Sequence, residues 1–142
     1  MSVILTQTDT TVGFLSQNKT KLQEIKSRPS DKQFIKVYPN FKNFKKDKNR
    51  IPNTQKSKVR RSKKTTFIVK ETAFRVVQYQ LDSSLLNAEW YYSTSANEAY
   101  KNFERLFCEE KADIIIENRE LLYEGTSSSL LKINTKKIRK LR

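Results

Sequence analysis

The sequence predicts an α/β protein: a mixed, twisted sheet with helices packed on it, in one domain over residues 1–142. Three observations predict it. A chain of 142 residues suits one domain and removes roughly 68–70% of its unfolded surface from water. Hydrophobic residues make up 36% of it, and 11% is aromatic, which sets it apart from disordered compositions. The N-terminal third reads strand, helix, strand, the alternation that builds α/β folds.

The elements follow in order. Val3-Ile4-Leu5 is an apolar, β-branched run and predicts a buried strand. A polar stretch, Thr6–Thr11, runs on to Gly13. Ser16 or Asn18 can cap the next helix, which carries Leu22 and Ile25 on one face. Arg28-Pro29 stops that helix, because a residue before proline avoids the α region. Gln33–Tyr38 is the second strand. Residues 42–64 hold eleven Lys or Arg against one acid, Asp47, and so carry +10 of the net +14. With few large apolar residues, this segment is expected to be a mobile loop or a weakly ordered edge. Thr65–Val69 and Ala73–Val77 read as strands, and Asp82 can cap a short helix through Leu86. Trp90–Tyr92 is strand-like and Ser93–Asn97 a loop. From Glu98 to about Lys111, the apolar residues Ala99, Tyr100, Phe103, Leu106 and Phe107 keep helical spacing. Asp113–Glu117 and Leu130–Ile133 read as strands, with a turn at Gly125–Ser129 and a basic end beyond. There is no internal repeat.

Composition excludes whole classes of chemistry. A single cysteine, Cys108, excludes a disulfide framework and a Cys-based zinc site. With no histidine, the usual transition-metal sites lose their commonest ligand, and Ser-His-Asp or Cys-His nucleophiles cannot form. Chemistry must run on Lys, Arg, Ser, Thr and carboxylates. Two glycines are too few for a glycine-rich phosphate loop. No apolar run approaches the ~20 residues that cross a bilayer. The N-terminus lacks the basic-then-apolar pattern of a signal peptide. A soluble, cytoplasmic protein without a membrane partner is expected. The net charge of +14 and sequence pI near 9.9 call for an anionic partner: a nucleotide, RNA or an anionic surface.

Three segments could carry chemistry. Thr8-Asp9-Thr10-Thr11-Val12-Gly13 follows the first strand and is rich in hydroxyls. Lys26-Ser27-Arg28-Pro29-Ser30-Asp31-Lys32 puts three cations within seven residues. Arg offers a planar fork for phosphate, and Lys a compact charge; equally, a basic helix C-terminus complements the helix dipole. Ser95 and Asn97, expected just before a helix, could donate to an oxyanion or phosphate, or simply cap that helix.

Together, in this order, the segments resemble the YrdC-like family, the threonylcarbamoyl-AMP synthases. That family shows Pro-Thr-Glu/Asp-Thr-x-Tyr-Gly-Leu, then Lys-x-Arg-Pro, then Ser-Thr-Ser-Ala-Asn. This sequence has Thr8-Asp9-Thr10-x-x-Gly13-Phe14, Lys26-x-Arg28-Pro29 and Ser93-Thr94-Ser95-Ala96-Asn97. Weaker matches are Thr66, Phe74-Arg75-Val76-Val77, Asp113–Glu117, Gly125-x-x-Ser128-Ser129 and Arg139, so the resemblance spans 3–139. Gln7 replaces the family's Pro, Val12 its Tyr, and Ser62-Lys63-Lys64 its Pro-Gly-Pro turn. Val37 stands where a His is common.

The resemblance implies an open, twisted sheet with a basic concave surface and an ATP-using enzyme. It would condense L-threonine, bicarbonate and ATP into threonylcarbamoyl-AMP for modification of adenosine 37 in tRNA, handing it to tRNA-modification partner proteins. Lys26, Arg28, Ser95 and Asn97 would be catalytic. Thr8, Arg75, Ser93 and Thr94 would face the threonine. Arg28, Lys32, Thr66, Ser95, Ser128 and Arg139 would line the nucleotide side. Mg²⁺ would enter as an ATP counterion held mainly by phosphates. The alternative is a catalytically reduced relative that binds double-stranded RNA, tRNA or nucleotide. The charge of the basic segment exceeds what one triphosphate needs. Lys56, Lys58, Arg60 and Arg61 are therefore expected to contact RNA phosphates.

Overall fold

The computed structural model describes residues 2–27, 34–47, 51–77, 88–98, 101–117 and 122–142. Among them, in chain order, are β1 (Ile4–Gln7), β2 (Val12–Ser16), α1 (Lys19–Lys26), β3 (Ile35–Tyr38), α2 (Phe41–Lys46), α3 (Lys56–Arg61), β4 (Thr65–Val69) and β5 (Thr72–Val76). β6 (Tyr91–Ser95), α4 (Arg105–Lys111), β7 (Ile114–Ile116), β8 (Ser129–Ile133) and β9 (Ile138–Lys140) follow, and a 3₁₀ turn, Asn53–Gln55, precedes α3. The expected α/β class with a mixed sheet is what the structure has. The helix expected after Asp82 lies outside the described residues.

Two compact units divide the chain. The first comprises Met1–Phe34 and Tyr91–Thr126. Its strands run β7-β1-β2-β6, with β1 parallel to β7 and the other pairs antiparallel. Val3, Leu5, Val12, Phe14, Leu22, Ala96 and Cys108 form its buried core. The second comprises Ile35–Trp90 and Ser127–Arg142. Its strands run β3-β5-β4-β8-β9, with β3–β5 and β4–β8 parallel and β4–β5 and β8–β9 antiparallel. Tyr38, Phe44, Val59, Phe67, Phe74, Val76 and Ile133 form its core.

Four expectations need correction. The first unit opens with a β-hairpin, not strand–loop–helix: β2 pairs with β1 from Ile4↔Leu15 to Gln7↔Val12. All five β2 residues are buried, so the polar alternation that marks a half-exposed strand is missing. The basic segment is not simply a loop. Asn40 caps α2, its Oδ1 accepting from Asn43 N at 2.8 Å. Phe44 stacks on Phe74 at 4.6 Å and meets Tyr38 edge-on at 5.3 Å. Val59 of α3 is fully buried. One or two well-placed apolar residues, Phe44 with Phe41 in α2 and Val59 in α3, are enough to seat each short helix, while the lysines stay in water.

The third correction concerns the Glu98–Lys111 helix, which shrinks to Arg105–Lys111. Phe103 N donates to the carboxylate of Glu124, a tertiary partner that takes the donor a continuous helix would use internally. Arg105 then anchors the shorter helix through Glu109 at 2.6 Å and Glu117 at 2.8 Å. Finally, Ser93-Thr94-Ser95 belongs to β6 rather than a loop, and the basic C-terminal end contributes β9. Among the described residues, no helix is long and apolar enough to cross a membrane.

Candidate active site

In the first unit, the hairpin turn between β1 and β2 is built by Thr8. Its Oγ1 donates to Thr11 O at 2.6 Å and accepts from the N–H groups of Thr10 and Thr11, each at 3.3 Å. A hydroxyl that replaces a backbone turn bond in this way explains the run of threonines. It also means that the Thr8 hydroxyl is engaged locally while its methyl faces inward. Gly13 shows where: a Cβ there would lie 3.1 Å from Thr8 Cγ2, 3.1 Å from Thr94 O and 3.9 Å from Ser93 Oγ. Glycine therefore allows the side chains of Thr8 and Ser93 to converge; Thr94, the third first-unit residue expected to face threonine, approaches only through its carbonyl oxygen, because its side chain, opposite Phe14 in the ladder, lies on the core face.

The register defines which side chains share a face. Gly13 pairs with Ser95 and with Thr6, and Leu15 with Ser93. Residues directly opposite in an antiparallel ladder share a face, and alternate residues along a strand return to it. Thr6, Gly13, Ser93 and Ser95 thus lie on one face. Leu5, Val12 and Phe14 lie on the other, in the core with Leu22 of α1. The hydroxyl-bearing face is the one turned away from that helix.

Lys26 closes the arrangement from the end of α1. Asn18 caps the helix at its start, its Oδ1 accepting from Lys21 N at 3.3 Å. Ser27 ends it in the left-handed region, φ 48° and ψ 44°. Lys26 is only 4% exposed. Its Nζ donates to Ser95 O at 3.1 Å, Asn97 O at 2.9 Å and Asn97 Oδ1 at 2.8 Å. Ser95 Oγ donates to the same Asn97 Oδ1 at 2.7 Å, and Asn97 Nδ2 donates to Lys101 O. Among the described residues Asn97 therefore caps no helix: α4 begins at Arg105 and has no side-chain cap hydrogen bond at its N-cap. Lys26 sits in a last helical turn, yet its ammonium serves the Ser95–Asn97 segment. Cys108 lies buried nearby; burial pushes its thiol up, and the charge of Lys26 opposes this. Arg28, Pro29 and Lys32 lie outside the described residues.

The remaining expected site residues belong to the second unit. Thr66 is fully buried, and its Oγ1 shares a 2.7 Å hydrogen bond with Ser128 Oγ. Arg75 is 5% exposed, on β5 opposite Val37. Arg139 is exposed, opposite Lys132 in the β8–β9 ladder. The guanidinium that reaches Ser128 is that of Arg142: its Nε donates to Ser128 O at 2.9 Å and its Nη2 to Ser128 Oγ at 3.3 Å. Sequence reading missed Arg142 because the C-terminal end is uniformly basic, and only the strand register selects one arginine. Lys56, Lys58, Arg60 and Arg61 are exposed on α3. Among the described residues, no group of three His, Cys, Asp or Glu could hold a metal ion.

No family profile matches the sequence, and no curated protein does either. Solved structures do match over 99% of this chain. Sua5 from P. abyssi, complexed with L-threonine, superposes with a TM-score of 0.77 at 17% identity, over 50% of its own length. E. coli YciO superposes with a TM-score of 0.74 at 16% identity, over 82% of its length. Full-length HypF in a phosphate- and nucleotide-bound form gives 0.74 at 15% identity over 22% of its length. This chain therefore spans about half the length of the Sua5 chain and has its fold.

Proposed function

We propose that this chain, with the YrdC-like fold it shares with Sua5 and YciO, is an L-threonylcarbamoyladenylate synthase whose product serves adenosine-37 modification of tRNA. The observation that carries the reading is the triple hydrogen bond of Lys26. It ties the Lys-x-Arg-Pro segment to the Ser-Thr-Ser-Ala-Asn segment, about seventy positions away in the chain. Two short motifs that are weak apart are held together by the ammonium of one and the carbonyls of the other. The L-threonine in the Sua5 complex supports an amino-acid substrate, and the phosphate- and nucleotide-bound HypF supports a nucleotide.

The chemistry suits a chain without histidine. The amine of L-threonine adds to the carbon of bicarbonate, water leaves, and a carbamate forms. A carbamate oxygen attacks the α-phosphorus of ATP. The bond from that phosphorus to the bridging oxygen breaks, and pyrophosphate leaves with the electron pair. The attacking oxygen is already anionic, so this step requires no base. It requires positioning and positive charge. Arg28 supplies the planar fork for phosphate oxygens. Ser93, beside Gly13 and the Thr8 methyl, faces the amino acid, and Thr94 comes to the same place through its carbonyl oxygen. Ser95 and Asn97 orient the reacting groups, and Lys26 is the positioning residue that holds them. No step is assigned to a metal.

The test is direct. The protein is incubated with ATP, L-threonine and bicarbonate, and pyrophosphate is measured. Release is expected only when all three are present. Release independent of threonine, or none at all, refutes the synthase reading.

A further inference from the structure

β7 ends the strand order of the first unit and β9 that of the second. Among the described residues β7 pairs only with β1, and β9 only with β8, so each keeps one edge without a strand. We propose that these two edges fit each other: β9 of a second copy of this chain adds to β7, joining copies head to tail. The inference is independent of the synthase reading and uses none of the residues assigned to it.

The backbone comes first. Ile114 N donates to Val3 O at 3.1 Å, so Ile114 turns its backbone groups toward β1. These groups alternate sides along a strand, and Ile115 therefore turns its N–H and C=O outward. At the other edge, Asn134 N donates to Lys137 O at 3.0 Å, and Leu141 N to Leu130 O at 2.8 Å. Lys137, Arg139 and Leu141 thus face β8, while Ile138 and Lys140 turn their N–H and C=O outward. The same edges carry apolar side chains into water: Ile115 is 43% exposed and Ile138 46%. An open edge with exposed apolar residues is a template for a further strand.

Charge identifies that strand. Residues 109–117 hold four acids against one base, a net −3 within a chain of net +14. Residues 132–142 hold six bases and no acid. With Ile115 opposite Ile138 in an antiparallel pair, Asp113 falls opposite Lys140 and Glu117 opposite Lys136. A parallel pair only exchanges the two lysines. Either direction sets each acid against a lysine, the pairing that stabilises cross-strand neighbours. Two β7 edges brought together antiparallel at Ile115 would set Asp113 against Glu117, and two β9 edges at Ile138 would set Lys136 against Lys140. Like charges directly opposite destabilise. The chain therefore carries both halves of one contact and not a self-complementary patch. Both strands are three residues long, so the contact is small and reversible, with a Kd above about 1 µM. Because two different surfaces meet, each added copy still offers one edge of each kind, and association does not stop at two.

The test is sedimentation velocity from about 10 to 500 µM protein at about 0.15 M salt, where screening over about 8 Å removes the general repulsion between copies but spares pairs in contact. The parent is expected to form species beyond the monomer that grow with concentration. The acids are left alone, because Asp113 also holds Val3 N and Glu117 holds Arg105. Ile115→Lys brings a cation against the basic edge, and Ile138→Glu brings an anion against Asp113 and Glu117. Each should raise the Kd at least about tenfold. Both positions are exposed, so circular dichroism should match the parent. Ile115→Thr, which keeps a β-branched residue in the strand, should weaken association in the same direction. An equimolar mixture of Ile115→Lys and Ile138→Glu should associate again, because the intact β9 of one meets the intact β7 of the other. A parent that stays monomeric throughout, association that survives either charged substitution, or a mixture no more associated than its components each overturns the proposal.

Discussion

Replacing Lys26 by Met removes the ammonium while keeping a stem of similar length, so little cavity forms around this buried side chain. Three acceptors lose their donor: Ser95 O, Asn97 O and Asn97 Oδ1. A hydrogen bond to a charged group contributes about 1.5–3 kcal/mol net. The three bonds share one charge, and Ser95 is exposed, so water can replace part of the loss. The sum is therefore nearer about 2–4 kcal/mol than three full bonds. At about 3 °C per kcal/mol for a chain of this size, Tm should fall by about 6–12 °C. The folded variant should also lose about 100-fold in threonine-dependent turnover, with KM for ATP little changed, because the reacting groups lose their orientation. Lys26→Arg should restore part of the stability. Calorimetry and pyrophosphate release on one preparation check both halves. A Tm within 2 °C of the parent would show that the bonds hold nothing. Full turnover in folded Lys26→Met would show that the Ser95–Asn97 segment is not the reaction site.

Asn97→Ala removes the acceptor shared by Lys26 and Ser95 and should cut turnover more than ATP affinity; equal losses in kcat and stability alone would make Asn97 structural. Arg28→Ala should weaken ATP binding about ten- to a hundredfold in calorimetric titration, with Tm unchanged. Phe44→Ala should cost about 3–5 kcal/mol in urea unfolding, because it strips a fully buried ring from Phe74 and Tyr38; a cost below about 1 kcal/mol would return the basic segment to a loop. Asp47 gives a pH signature. Burial alone would raise its carboxyl, but hydrogen bonds from Lys36 and Tyr38 hold it below the ordinary 3.8. Its contribution is thus present above pH 3.8 and is lost as pH falls through the lowered value. Asp47→Asn should be less stable than the parent at pH 7, with the gap closing below pH 4; a gap independent of pH would refute the assignment.

Where local chemistry is sufficient, the sequence was readable. The run Val3-Ile4-Leu5 packs as the buried strand it predicts, and Asn18, one of two candidate caps, does accept from the helix it precedes. The order Lys26, then Ser95 and Asn97, pointed to residues that the fold brings within hydrogen-bond distance. Other elements were hidden for identifiable reasons. β2 is covered on both faces, so it carries no alternation. α2 rests on Phe44 with Phe41 stacked beside it, and α3 on Val59, amid lysines, too little to register as periodicity.

Residue type alone determined which chemistries are open: without histidine, and with a single cysteine, cationic groups, hydroxyls and carboxylates remain to act. It also determined the net charge of +14, because charge is a sum and needs no geometry. Which of the cations and hydroxyls act together was decided only by tertiary structure. Arg142 rather than Arg139 reaches Ser128 because the β8–β9 ladder sets Arg139 against Lys132. Hydrogen bonds act over about 3 Å, and neighbours at that range are fixed by strand register and helix ends. In a run of like residues, composition carries no mark of either.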